Sequence, residues 1–141
     1  EEYAKELGMN LVIGGTYDLR PFITAVAGDI DGRCAYCYRV RMAETARYAA
    51  ANGCDSFTTS LLISPYQNHE AIAAAAREMG EKYGVAFLYR DFRPLFQEGQ
   101  QFARDHGFYM QKYCGCIFSE EERYMAARRR KKAAQSKSNE S

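Results

Sequence analysis

Apolar positions along the chain change their period several times, and each change marks an element. Glu1-Glu2-Tyr3-Ala4-Lys5-Glu6-Leu7-Gly8 reads as the last turns of a helix closed by glycine. Met9-Asn10-Leu11-Val12-Ile13 is a short apolar run stopped by Gly14 and Gly15, which predicts a buried strand. Asp18 is placed to cap a helix with Pro21 in its first turn and Phe22, Ile23 and Val26 on its apolar side. A loop from Gly28 to Gly32 then delivers a long helical pattern from Cys34 to Asn52. Within it Cys37, Val40, Arg41, Glu44, Thr45, Tyr48 and Ala49 recur at spacings of three and four, and Gly53 stops it.

The second half alternates in the same way. Phe57 to Ile63 is β-branched and apolar and predicts a strand. Ser64-Pro65-Tyr66-Gln67-Asn68-His69 is a polar loop at that strand's carboxyl end. Helix is predicted from Asn68 to Tyr83, closed by Gly84, then a strand from Val85 to Tyr89 and a polar segment from Arg90 to Arg93. Pro94 opens a helix that runs to His106, with Gly107 at its end. Tyr109 to Cys116 reads as irregular. A last helix is predicted near Ser119, where Ser119 and Glu122 have the spacing of a capping box. Strand–helix alternation of this kind predicts an α/β fold, a mostly parallel sheet with helices on both faces. Ligands collect beyond the carboxyl ends of such strands, where both polar segments fall. No GxGxxG or phosphate-loop lysine motif is present, so a nucleotide cofactor has no support.

Composition narrows the class. At 141 residues, 47% hydrophobic and 26% charged, the chain has the make-up of one globular domain. No stretch reaches the length of apolar residues that a membrane helix needs, and no charged-then-apolar leader opens it. The net charge of +1 is unevenly spread. The end from Arg128 to Ser141 carries six basic residues and one acidic, so the rest is net acidic. A domain over residues 1–125 followed by a basic, disordered tail over 126–141 is the expected organisation. Such a tail either solubilises the chain or holds phosphates.

Five cysteines without a secretory leader point to a reducing, cytoplasmic compartment, where paired thiols are metal ligands or redox centres more often than structural disulfides. Cys34 and Cys37 form a CxxC at a predicted helix start, where free amides and the helix dipole favour thiolate for metal ligation or thiol exchange. Cys114-Gly115-Cys116 is a second pair, with Lys112 alongside to favour thiolate. Its glycine permits the tight backbone of a two-ligand bite or of a small, easily reduced disulfide. Taken together, the four thiols would complete a zinc site, which makes a non-catalytic zinc-binding module one reading. Cys54 reads as a small buried hydrophobe. His69, beside Ser64, Gln67 and Asn68, is either a satisfied structural histidine or a substrate contact. His106, next to a glycine cap, reads as structural. Arg90, Asp91 and Arg93 form an ion-pair cluster or an anion site. Tyr89, Phe92, Tyr109 and Tyr113 suit base stacking as well as a core.

Four blocks of residues carry a further signal. They are Arg33-Cys34-x-x-Cys37-Tyr38-x-x-Arg41-Met42-x-x-Thr45-Ala46, then Asp55-x-Phe57 through His69, then Phe87-Leu88-Tyr89-Arg90-Asp91-Phe92-Arg93, then Tyr109-x-Gln111-Lys112-Tyr113-Cys114-Gly115-Cys116-Ile117-Phe118-Ser119. In this order they resemble the signature blocks of the cobalamin-independent epoxyqueuosine reductases, the QueH family, from about Tyr3 to Arg123. The resemblance implies a Rossmann-like, HUP-like sheet. It also implies reduction of epoxyqueuosine to queuosine at the wobble position of a tRNA, the final step of queuosine biosynthesis. The implied cofactor is a 4Fe-4S cluster held by four cysteines, with an additional iron as a further expectation. Cys34 and Cys37 match two of the cluster ligands, and Cys114 and Cys116 match a redox-active pair. Ser64, Asn68, His69, Arg90 and Asp91 are the expected substrate contacts, and Arg39, Arg41, Arg47 and the basic end the expected phosphate contacts. The partners implied are a tRNA carrying epoxyqueuosine and an electron donor of unspecified kind, with no membrane. The family opens with a strand and a loop bearing an adjacent cysteine pair, which this sequence does not contain. The expectation is therefore a truncated copy, inactive or poorly folded by itself, with two of the four cluster ligands.

Overall fold

The structure is a computed structural model that describes residues 1–15 and 18–139. Six helices, a pair of short strands and two 3₁₀ turns make up the described residues: α1 (Glu2–Glu6), α2 (Leu19–Val26), α3 (Arg33–Ala51), β1 (Ser56–Phe57), α4 (His69–Tyr83), β2 (Ala86–Phe87), α5 (Phe96–Asp105) and α6 (Ile117–Asn139), with the turns at Ser60–Ile63 and Arg93–Leu95. The strands pair in parallel, with Ser56 opposite Ala86 and Phe57 opposite Phe87. The class is mixed α/β, built on a β1–α4–β2 crossover.

The core lies between α3 and α4 and under the two strands. On α3 the buried positions are Tyr38, Met42, Ala46 and Ala49, a single helical stripe. On α4 they include Ile72, Ala75, Ala76 and Met79. Phe57, Leu62 and Val85 close the same cluster. Small residues let α4 come close to β2. Gly80 is the extreme case, because a Cβ there would lie 2.6 Å from the Val85 carbonyl oxygen, while that glycine's own carbonyl accepts from Val85 N–H at 3.0 Å. Asn68 caps α4 by accepting from Ala71 N–H at 3.0 Å, and Gly84 ends it at φ +70°.

Three expectations change. Residues 9–15 form no strand. Leu11, Val12 and Ile13 are exposed, and no described backbone group pairs with them. A strand needs an edge to join, and after the Gly8 cap of α1 this run meets none. The strand expected over 57–63 stops at Phe57, because Thr59 Oγ1 accepts from Leu61 N–H at 3.2 Å and winds the chain into the 3₁₀ turn. Leu62 is still fully buried, through the turn rather than the ladder. Finally, α6 begins at Ile117, with Glu120 N–H donating to the Cys116 carbonyl at 3.0 Å, so Ser119 sits inside the helix rather than at its cap. The domain boundary expected at residue 125 falls inside α6, whose side chains are exposed from Glu121 to Gln135. No helix of the described residues is long and apolar enough to cross a membrane.

Candidate functional site

The first thiol pair is set by the entry to α3. Asp29 Oδ1 accepts from Gly32 N–H at 2.9 Å, and Arg33 N–H donates to the Ile30 carbonyl at 3.3 Å. This tight entry makes Arg33 the first residue of α3 and puts Cys34 and Cys37 on its first turns. The second pair lies on the irregular segment between α5 and α6. Gly115 there takes φ +92°, a conformation that favours glycine, and Gln111 Nε2 donates to the Tyr113 carbonyl at 2.7 Å.

Arg33 joins the two segments. Its guanidinium donates to the Ile30 carbonyl at 3.0 Å and to Glu122 Oε1 of α6 at 2.7 Å, and it lies over the Phe118 ring at 5.7 Å. Only 11% of this side chain is exposed. Burial pulls its pKa down, but Glu122 and then the Cys116 thiol, both hydrogen-bonded to it, leave it above the ordinary arginine value. All four paired cysteines therefore line one cleft, together with Phe22, Arg33, Tyr38, Arg41, Leu61 and Gln67. Thiols about eighty residues apart in sequence meet there.

The electrostatics reverse one expectation. Loss of hydration raises the Cys34 thiol above its ordinary pKa, against the pull of Arg33 and with the help of the other thiols and Glu122. Cys37 is raised in the same way, with Arg41 as the opposing charge. At Cys34 and Cys37 burial thus outweighs the cationic neighbours Arg33 and Arg41. Cys54 is corrected too. It is exposed, held at the corner after α3 by its N–H bond to the Ala49 carbonyl at 2.9 Å.

A second cleft of about 560 Å³ adjoins the first and shares Gln67 with it. Its lining is polar: Gln67, Asn68, His69, Glu70, Ala73, Arg77, Tyr89 and Arg93. Tyr38 ties the two together. Its hydroxyl donates to Gln67 Oε1 at 2.6 Å and accepts from Asn68 N–H at 3.3 Å. Burial raises its pKa, and the thiols raise it further, against the bond from Asn68. His69 is buried, and its Nε2 lies 3.0 Å from the Ser64 carbonyl, which can only accept. Its Nδ1 is buried without a partner.

The expected substrate contacts are thus divided. Asn68 and His69 line the polar cleft, and Ser64 supports His69 through its carbonyl. Asp91 instead pairs with Arg93, accepting from Nε at 2.9 Å and from Nη2 at 2.7 Å, and Arg90 lies over the Phe92 ring at 6.0 Å. Among the expected phosphate contacts, Arg39 pairs with Glu78, Arg47 with Glu44, and Arg41 lines the thiol cleft. His106 is structural, stacked on Phe102 at 3.8 Å. Pattern reading named Tyr38 only as part of the first signature block and did not single out Arg77. For Arg77 a signal existed, since His69, Ala73 and Arg77 recur every four residues on one helix face.

Four soft thiols suit iron–sulfur or zinc chemistry in kind. In arrangement they do not complete a site, because no three metal-binding side chains among the described residues are grouped to hold an ion. The thiol cleft, about 20 Å³, has room for one water-sized group. A self-sufficient four-thiol zinc module is therefore not favoured.

Comparison with known proteins adds the following. The family model described as Epoxyqueuosine reductase QueH matches residues 1–122. A protein of Dehalococcoides mccartyi named Epoxyqueuosine reductase QueH is 35% identical over 119 residues, covering 84% of this chain and 65% of the relative. Its namesake in Thermotoga maritima is 36% identical over 132 residues, covering 87% of this chain and 69% of the relative. One in Staphylococcus aureus is 26% identical, with 54% of the relative covered. The chain therefore spans about two thirds of the length of the two more similar relatives and about half of the third.

Proposed function

This chain belongs to the epoxyqueuosine reductase QueH family, and we propose that it is part of an oxidoreductase that converts epoxyqueuosine to queuosine in a cytoplasmic tRNA. The observation that carries the reading is the convergence of two thiol pairs, Cys34 with Cys37 and Cys114 with Cys116, on one cleft beside a polar one. Turning an epoxide into an alkene takes up two electrons and two protons and releases water. Cys114 and Cys116, as a dithiol that closes to a disulfide, hold that number of each. An external electron donor then restores the dithiol. Cys34 and Cys37 would serve as two ligands of a 4Fe-4S cluster, which when bound would move electrons singly.

The chain's own residues prepare the site. Arg33 holds the CGC segment against α3 through Cys116 and Glu122. Burial keeps Cys34 and Cys37 protonated until a metal displaces the protons. Tyr38 and Gln67 form the wall between the clefts. The β1–α4–β2 unit is taken as one portion of a larger HUP-like sheet with helices on both faces.

Anaerobic reconstitution with iron and sulfide, followed by incubation with tRNA carrying epoxyqueuosine and nucleoside mass spectrometry, tests this reading. A brown, iron-containing protein that forms queuosine is the expected result. One zinc per chain with no visible chromophore would count decisively against it.

A further inference from the structure

The polar cleft holds two arginines that the thiol chemistry does not use. Arg77 projects into it from the third turn of α4 and makes no ion pair among the described residues. Arg93 reaches it from the segment after β2. Its Nε and Nη2 are engaged by Asp91, which orients the guanidinium and leaves Nη1 free to donate. Glu70 is the carboxylate in the lining and Asp91 already pairs with Arg93, which leaves Arg77 as the arginine of the lining with no ion pair among the described residues. The cleft also takes in the start of a helix of 15 residues, whose dipole favours an anion. Two more features point to a ligand. Buried His69 lines the cleft, with Nε2 beside the Ser64 carbonyl and with Nδ1 buried and unpartnered. Tyr89 adds an aromatic wall.

We propose that this cleft seats the backbone of the substrate RNA next to the modified base, with a phosphate held by Arg77 and Arg93 at the start of α4. The proposal rests on the tRNA-modifying reading of the thiol cleft, and it names the part of the substrate that the adjoining cleft takes. Gln67, common to both clefts, marks where the base leaves its backbone. A volume of about 560 Å³ suits a nucleotide unit, whereas the thiol cleft admits only the reacting atoms.

Two measurements on the full chain test it. The first is anisotropy of a labelled anticodon stem–loop RNA over a salt series. Arg77→Ala should weaken binding about fivefold to tenfold and reduce the salt slope by about one phosphate contact. Lys82→Ala removes the same charge at the other end of α4 and should change neither. Equal effects of the two variants would overturn the proposal. The second uses inorganic phosphate as the probe and the ring signals of the two histidines as reporters. Phosphate should move the His69 signal and not that of His106, and Arg77→Ala should abolish the movement. No movement of His69 with phosphate or RNA overturns the seat. RNA binding that Arg77→Ala leaves untouched also sinks the seat while sparing the tRNA reading. Phosphate binding at His69 without RNA binding supports an anion seat and removes the RNA from it.

Discussion

The two clefts share a wall and differ in almost everything else. The thiol cleft is small, faced by sulfur, Phe22 and Leu61, and raises Cys34 and Cys37 by stripping water from them. The polar cleft is far larger and is faced by arginine, histidine and amide groups. Each suits one half of a job on a nucleic acid. Moving electrons and protons to a single carbon–oxygen bond calls for few, dry, well-placed groups. Holding a charged backbone calls for hydrated cations and room. Tyr38 and Gln67 join the two halves by hydrogen bonds.

The sharpest way to break that contrast is to remove sulfur. Cys114→Ser should lower single-turnover queuosine formation by about a hundredfold or more, the scale usual for a group acting on the reacting atoms, and leave iron content intact. Cys34→Ser should lose iron and activity together. Parallel iron analysis and nucleoside mass spectrometry of both variants check this. Identical behaviour of the two would erase the division of labour between the pairs.

A second test shifts the floor under one cleft only. Gly80→Ala places a methyl against the Val85 carbonyl and so pushes β2, and with it Tyr89 and Arg93, away from α4. Overpacking of this sort costs about 1–3 kcal/mol, read by urea denaturation. The polar cleft should weaken in phosphate binding while the thiols keep their reactivity toward an alkylating reagent. Loss of both together would mean that the clefts are one mechanical unit.

How far the sequence foretold this arrangement can be argued from the same residues. Helices were legible because capping and spacing are local. Asn68 with Gly84 and the loop before Arg33 follow from nearby residues, whereas the buried stripe through Tyr38, Met42 and Ala46 is not the set through Val40, Glu44 and Tyr48 that the spacing suggests, which is exposed. The family match was legible too, and the two cysteine pairs picked out in the sequence line one cleft. The strands were legible only in part, the pair at Phe57 and Ala86–Phe87 falling inside expected runs, since a strand's extent depends on an edge supplied from elsewhere. Residues 9–15 have the right composition and no partner, and 57–63 lost its ladder to a single threonine hydroxyl. Cys54 misled for the reverse reason, an apolar side chain placed by backbone geometry at an exposed corner. The direction of the Cys34 and Cys37 shifts was illegible as well, because a nearby arginine can be read from sequence and the burial that overrides it cannot.

Between the clefts, Tyr38→Phe removes one hydroxyl that donates to Gln67 and accepts from Asn68. Because Tyr38 is buried, both partners lose a bond that water does not readily replace. A loss of about 1–2 kcal/mol of stability is expected. Its more telling effect is on coupling. With the hydroxyl gone, phosphate in the polar cleft should no longer alter the rate at which Cys37 is alkylated, whereas in the unaltered protein it should. Coupling that survives the substitution would place the link in Gln67 itself.

The smallest effect concerns the orientation of Arg93. Asp91 titrates at about 2, against an ordinary value of 3.8, chiefly because the Arg93 side chain and then its backbone N–H bond the carboxylate. The folded-state pKa is depressed, so the pair stabilises the fold above pH 3.8 and that contribution fades as pH falls toward 2. The groups are exposed, so the gain in stability is slight. The consequence for binding is larger than for folding. Between pH 4 and 7 the fork stays formed and Arg93 stays aimed at the cleft, so this pair adds no pH dependence to phosphate affinity there. Carboxyl carbon NMR of Asp91 should give a midpoint near 2, moving up toward the ordinary value in Arg93→Gln. Asp91→Asn should leave Arg93 charged but unoriented and weaken phosphate binding less than Arg77→Ala does. If Asp91→Asn instead strengthens binding, the carboxylate competes with phosphate for Arg93, and Arg77 alone would be the cation on which the polar cleft depends.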